Sequence, residues 1–208
     1  MSKKPHYWSR AIKALSKKDK VMKGLILKYQ DKFLTTRKDL FYSLCKSIIG
    51  QQISVAAANS VFNKFSKACK GKISPASVSG LNKLKLKKCG LSRQKIKGIK
   101  ELAKKFQDKS FNTRKIKYMS DEEAIDYLSN LRQIGRWSAE MILIFNLNRS
   151  NIWPIQDIGL LRAISNNYKK KYHPPKNFVE NLNKKFTPYC TVATWYLWRS
   201  IDDEPIQY

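Results

Sequence analysis

Apolar residues recur every three or four positions in one segment of this chain after another. No segment shows the sustained alternation of a half-buried strand, so the pattern confines the chain to an all-α fold. Asp39 can cap a helix in which Leu40, Leu44 and Ile48 recur at four-residue spacing while Phe41, Cys45 and Ile49 widen the stripe, so this helix is expected to be largely buried. Gly50 ends it. Ser54 opens a second helix with Val55, Ala58, Val61, Phe62 and Phe65 on one face. Ser74 and Pro75 open a short third one, where proline is tolerated because a first-turn N–H has no helical partner to lose. Ser92 starts a helix over 93–106 that turns Ile96, Ile99, Leu102, Ala103 and Phe106 inward, while its six lysines and arginines face outward or snorkel. Ser120 and Glu123 form a capping box before Ala124, Ile125, Leu128 and Leu131. Residues 138–147 read as another buried helix, a further one begins just after Asp157, and 179–198 supplies at least one more.

A chain of 208 residues can hold one substantial core or two small lobes. Its 42 Lys and Arg against 15 Asp and Glu give a net charge of +27, an excess that points to a polyanionic partner, nucleic acid first. The competing explanation is compositional, because lysine far outnumbers arginine and Asn and Ile are frequent, a bias an AT-rich genome also produces. No apolar run approaches the roughly 18 to 20 residues that span a bilayer, and the N-terminal residues lack a signal-peptide core. No membrane partner is expected, and the protein should stay in the compartment that made it: cytoplasmic, and nucleoid-associated in a bacterium. Cys45, Cys69, Cys89 and Cys190 include no C-x-x-C pair and are expected to be reduced core or surface thiols; His6 and His173 are too isolated for a metal centre, so no metal ligands are assigned.

Two features carry the chemistry. The first is Leu131-Arg132-Gln133-Ile134-Gly135-Arg136-Trp137-Ser138-Ala139, in which a short turn through Ile134-Gly135 can aim the N–H groups of a helix start at a phosphate. Such a contact grips a nucleic acid backbone without reading sequence. The second is Asp157, in Trp153-Pro154-Ile155-Gln156-Asp157, placed to cap the helix that begins near Ile158.

Five segments in register, 44–57 (LCKSIIGQQISVAA), 90–102 (GLSRQKIKGIKEL), 131–139, 154–163 and 188–198 (PYCTVATWYLW), make the chain resemble the helix-hairpin-helix DNA glycosylase superfamily, and within it the DNA-3-methyladenine glycosylase II branch. The resemblance implies a two-lobed helical fold: a middle helical barrel over 39–150 that includes the hairpin, and a second lobe from 1–38 with 151–208. Larger members carry an additional N-terminal α/β domain, for which there is too little sequence before Asp39; the chain looks like the compact form.

By the same resemblance Asp157 is the catalytic aspartate. Breaking a glycosidic bond builds positive charge on the sugar, which a fixed carboxylate can stabilise. Capping and catalysis are compatible, since a helix N-terminus favours negative charge. Trp137 stands where strand-cutting relatives place a Schiff-base lysine, so removal of the base should leave an intact abasic strand; core packing is the alternative role for this side chain. Trp198 matches a tryptophan of the base pocket, where an aromatic wall attracts a cationic alkylated purine. Met141 and Ile158 replace aromatics found in some members, which points to a differently selective pocket. Gln52 falls where the family inserts a wedge into the space vacated by the flipped base; Gln51 or Ile53 could serve instead, or Gln52 could simply bond the end of its own helix. Gln133, Ile134, Gly135, Arg136 and Ser138 form the DNA-binding hairpin, with Gln133 where a glycine is common; a positive φ there costs a non-glycine residue about 1 to 2 kcal/mol.

The expected activity is a monofunctional excision of 3-methyladenine and of 7-methylguanine from double-stranded DNA by a monomer that needs no cofactor beyond a structural monovalent cation at the hairpin carbonyls. The alternatives are a glycosylase for oxidised purine or uracil, and a non-enzymatic DNA-binding protein. Binding to undamaged duplex is expected to weaken with salt, each neutralised phosphate contributing a slope of about −0.9 in log K against log salt. A salt titration of affinity checks this, and a flat response would leave the charge excess to genome composition.

Overall fold

The computed structural model describes residues 4–36 and 39–202. Among them there is no strand: twelve α-helices and one 3-10 segment account for the regular structure. They are α1 (Trp8–Lys18), α2 (Lys20–Lys28), α3 (Leu40–Gly50), α4 (Val55–Ala68), α5 (Pro75–Ser79), α6 (Lys83–Lys88), α7 (Arg93–Gln107), the 3-10 segment Thr113–Tyr118, α8 (Asp121–Ser129), α9 (Arg136–Phe145), α10 (Ile158–Asn167), α11 (Lys176–Phe186) and α12 (Cys190–Arg199). No helix is long and apolar enough to cross a membrane.

The chain divides into two compact units, one from residues 4–36 with 143–202 and the other from 39–142. The second boundary therefore falls inside α9, after Ile142, rather than after Ser150.

In the 39–142 unit, α3 packs on α4 and α7, and α7 also carries α5 and α6. The expected caps form: Asp39 accepts from the Tyr42 N–H, Ser54 from Ala57, and Ser92 from Lys95. Ser74 and Ser77 make a reciprocal box with Pro75 in the first turn, and Ser120 and Glu123 make another. Phe41 meets Phe106 edge-on, and Phe106, Phe111 and Tyr127 stack in series. Two expectations need correction. Val55, placed by periodicity on the buried face of α4, is 78% exposed, because the helix turns its first residue away from α3. On α7, Lys100 neither faces outward nor pairs with acid; its ammonium donates to the carbonyls of Ser79 and Leu81, both at 2.8 Å. It thereby meets the C-terminal end of α5, where unpaired carbonyls favour a cation.

In the other unit the basic N-terminal residues form α1 and α2, which the lysine-rich pattern had hidden. Trp8, Ala11 and Leu15 are buried on one stripe of α1, and α1 and α2 both pack on α12. Trp8 contacts Trp195 and Tyr196 with ring centroids 5.2 and 5.7 Å apart. Residues 179–198 belong to two helices, α11 and α12, and all ten residues of α12 are buried. All four cysteines are reduced and buried.

Asp19 joins three parts of this unit. It caps α2 through the Met22 N–H at 2.9 Å and accepts from the Tyr168 hydroxyl at 3.0 Å and from Lys185 Nζ at 2.6 Å. Burial raises its pKa, but Lys185, the Met22 amide and Tyr168 together outweigh burial, so the carboxyl sits below its ordinary value. A depressed folded pKa contributes stability above the unfolded value of about 3.9 that is lost as pH falls through the folded value. Asp19→Asn is expected to cost about 1.5 to 3 kcal/mol at neutral pH, the range for hydrogen bonds to charged groups. The difference from wild type should shrink as pH falls below about 4. Urea unfolding at pH 7 and pH 3 measures both, and an equal penalty at the two values would refute the assignment.

Candidate active site and nucleic-acid interface

Asp157 precedes α10 with extended backbone and accepts the Leu160 N–H on Oδ1 at 2.6 Å, so the expected cap is present. The same oxygen accepts the indole N–H of Trp198 at 2.7 Å. Asp157 is 8% exposed and Trp198 3%. Two hydrogen bonds on one oxygen fix the carboxylate's position. One face of the indole stacks on Phe145, the rings 6.1 Å apart and 10° from parallel. The contacts of Trp198 thus go to Asp157 and Phe145, and little of its ring is open.

Gly159 explains how the indole gets so close. A Cβ at this position would lie 3.1 Å from Asp157 Oδ1 and 3.4 Å from Trp198 Cδ1, tighter than side chains normally pack. The sequence carried a signal of this, a glycine in the first turn of a helix whose cap was already supplied. Ile158, beside the aspartate, is 62% exposed. These residues all belong to the unit formed by 4–36 and 143–202.

The hairpin lies in the other unit, between α8 and α9. The Ile134 N–H closes its turn onto the Leu131 carbonyl at 3.0 Å, and the Ala139 N–H is the first of α9 to reach back, to the Gly135 carbonyl. Arg136, Trp137 and Ser138 form the first turn of α9, where N–H groups precede the helical hydrogen-bond pattern. Gly135 is exposed there, while Ile134 is buried and anchors the turn. Gln133 has φ +67°, so the glycine-like conformation is adopted by a glutamine.

Arg136 does not project freely. It forms a two-pronged ion pair with Glu122 at 2.7 and 2.8 Å, and its Nε lies 3.2 Å from Glu140. The guanidinium holds the Glu122 carboxyl below its ordinary pKa and staples α8 to α9. Ser138 is buried. Trp137 is half-buried and Met141 is 3% exposed on α9.

Gln52 is exposed with φ +57°, in a turn that also exposes Ile53. It does not bond the end of α3. That role falls to Lys95, whose Nζ donates to the carbonyls of Ile49 and Gln51, both at 2.8 Å. Gln51 reaches the hairpin instead, donating Nε2 to the Gln133 carbonyl at 2.6 Å. An open depression of about 710 Å³ beside the hairpin is lined by Gln51, Glu101, Lys105 and residues 129–135. Within it Ser129 Oγ is buried without a hydrogen-bond partner among the described residues.

The charge of this unit is unevenly laid out. Residues 40–100 contain thirteen lysines and arginines and no acid. Lys64, Lys67, Lys70, Lys83, Lys85, Lys87 and Lys88 all lie exposed on or beside α4 and α6, helices that touch. Net positive surface of this extent attracts polyanions at long range.

Gly98 on α7 faces Gln133: a Cβ there would stand 2.9 Å from Gln133 Cγ. Gly98→Ala is expected to destabilise the wild type, but to stabilise a Gln133→Gly variant by about 0.5 to 1 kcal/mol, the usual helix gain. Denaturant midpoints of the four proteins of this cycle report the coupling. Equal effects of Gly98→Ala in both backgrounds would contradict the packing.

Comparison with known proteins adds a second line. Residues 45–188 match the family described as HhH-GPD superfamily base excision DNA repair protein. Over 205 residues the chain is 32% identical to the alkylbase DNA glycosidase-like protein mag2 of Schizosaccharomyces pombe, covering 96% of each. It is 28% identical to DNA-3-methyladenine glycosylase 1 of the same yeast over 196 residues, 93% of this chain and 81% of that one. Among solved structures it is similar to the 3-methyladenine DNA glycosylase of that yeast in complex with abasic DNA, with a TM-score of 0.77, 28% identity and coverage of 92% and 96%. It is also similar to the DNA-3-methyladenine glycosidase of Bacillus halodurans, with a TM-score of 0.81, 25% identity and coverage of 96% and 91%.

Proposed function

The chain belongs to the HhH-GPD superfamily of base excision DNA repair proteins, and from that membership and the site geometry we propose that it is a monofunctional DNA glycosylase that removes 3-methyladenine, and 7-methylguanine as a second substrate, from double-stranded DNA. The observation that carries the mechanism is the placement of Asp157, 8% exposed and held on one oxygen by the Leu160 amide and the Trp198 indole.

Methylation at a ring nitrogen leaves the purine cationic, so the C1′–N bond can break with its electron pair going to the base, which departs neutral. Positive charge then develops on the sugar, and a carboxylate already fixed in place stabilises it without reorganising. Water adds its oxygen to C1′ and gives up a proton, leaving an abasic sugar. No strong general acid is needed for so good a leaving group. At position 137 an indole stands instead of an amine, so no Schiff base forms there and the strand stays uncut.

The nucleotide must leave the stack before its sugar can be reached. The amides at the start of α9 would grip a phosphate, and the exposed turn at Gln52 and Ile53 would enter the space left behind. Arg136 contributes by bracing the hairpin against Glu122 rather than by meeting phosphate itself. A monovalent cation is the proposed ligand of the hairpin: Ser129, with its unpartnered Oγ, and residues 130–135 line one depression, and their hydroxyl and carbonyl oxygens are of the kind that would hold such an ion. Bound there it would add positive charge beside the phosphate.

Base release from methylated duplex DNA tests the proposal, with the released purines identified by chromatography and strand breaks scored before and after alkali. Release of 3-methyladenine with breaks only after alkali is the expected outcome, and borohydride should trap no protein–DNA adduct. Asp157→Asn should lower release by at least about a hundredfold while binding to undamaged duplex survives. Full activity in that variant would sink the mechanism. Release of an oxidised purine or uracil instead would place the activity on another lesion, and binding with no release of any base would leave a DNA-binding protein.

A further inference from the structure

In a chain with this much positive charge, a lysine near the DNA-gripping hairpin would ordinarily be assigned to phosphate. Lys95 is engaged otherwise. Half-buried on α7, it aims its ammonium at the Ile49 and Gln51 carbonyls, 2.8 Å from each, closing the end of α3 where the chain turns into Gln52. Burial pulls its pKa below that of an ordinary lysine, as for an ammonium withdrawn from water. From the same turn Gln51 donates to the Gln133 carbonyl of the hairpin at 2.6 Å. One turn along α7, Gly98 leaves the room that the Gln133 side chain occupies.

Both turns that meet here hold a glutamine in the left-handed region, Gln52 at φ +57° and Gln133 at φ +67°. Such backbone persists only where its surroundings over-determine it. Lys95 and Gln51 supply that determination, and they do so jointly. Lys95 fixes the carbonyl of Gln51, and the side chain of Gln51 fixes the carbonyl of Gln133. A displacement of the hairpin is thereby transmitted to the exposed pair Gln52 and Ile53 through two hydrogen bonds rather than through a flexible loop.

We propose that Lys95 and Gln51 are positioning residues that lock the 51–53 turn to the hairpin, so that gripping the phosphate and inserting the turn into the base stack occur as one event. The inference rests on the reading of the preceding subsection in one respect, that this turn enters the duplex. A purely structural lysine, capping α3 and nothing more, would affect folding and all DNA binding alike.

The test uses the full chain and a duplex carrying a stable tetrahydrofuran abasic site opposite 2-aminopurine, whose fluorescence rises when the stack around it is opened. Wild type is expected to raise that fluorescence on binding. Lys95→Met and Gln51→Glu should each cut the rise or its rate by about tenfold, the order of one hydrogen bond. Affinity for undamaged duplex should stay within about threefold. The double variant should be no worse than the poorer single one, as for residues of one network, and Lys95→Arg should restore insertion, since arginine can also donate to two carbonyls. Gln51→Glu keeps the test alive if Lys95→Met fails to fold.

Normal insertion in both variants would overturn the inference. So would a loss of undamaged-duplex affinity equal to the loss of insertion, or fully additive effects. Wild type that opens the abasic duplex but releases no methylated purine would overturn the alkylpurine reading and leave this one standing. Wild type that leaves 2-aminopurine stacked would overturn the inference whatever bases it removes.

Discussion

Short helices make backbone ends the governing problem of this fold. Its α-helices run from five to fifteen residues among the described ones, and each leaves several N–H groups and several carbonyls without a helical partner. Serine, aspartate and asparagine meet most of the N-terminal ends, and lysine meets several of the C-terminal ones: Lys18 at the Thr187 carbonyl, Lys95 at Ile49, and Lys100 at Ser79. The proposed functional groups sit at the same kind of place. Asp157 is an N-cap that also bonds Trp198, and the hairpin leads into the start of α9.

This view divides the charge excess into two populations. Lys95 and Lys100, both half-buried, are taken up by backbone carbonyls. The lysines of α4 and α6 lie exposed in a stretch without a single carboxylate, and so keep their full attraction for one. The acids are concentrated elsewhere. Asp121, Glu122 and Glu123 share the first turn of α8, where they favour the helix start, and Glu122 and Glu140 hold Arg136. A net charge of +27 is therefore an upper bound on what a duplex meets.

What could be read from the sequence was what is local. The caps at Asp39, Ser54, Ser92, Ser120 and Asp157 fall where a polar residue precedes an apolar stripe, and each forms. The left-handed backbone at Gln133 was foreseeable because glycine so often stands at that position. The helices α1 and α2 escaped because lysines crowd their exposed faces and disguise a stripe as regular as Trp8, Ala11 and Leu15. Contacts between distant residues left no local trace. The bond from Trp198 to Asp157 joins residues 41 apart, the bond from Gln51 to Gln133 joins residues 82 apart, and the Arg136 pair with Glu122 depends on how two helices are laid together. Val55 and Ile158 show the converse, since periodicity places an apolar residue on a face but cannot say whether another element covers it.

The unit holding Asp157 is assembled from both sides of the other one, with α1 and α2 packed on α12. During synthesis α1 and α2 emerge before α12 and must wait for it before Trp8 finds Trp195 and Tyr196. The 39–142 unit is continuous in the chain and can fold as it leaves the ribosome. A nascent or nicked protein would thus possess its hairpin before Trp198 could reach Asp157. In the meantime the apolar stripe of α1, Trp8, Ala11 and Leu15, would stay uncovered.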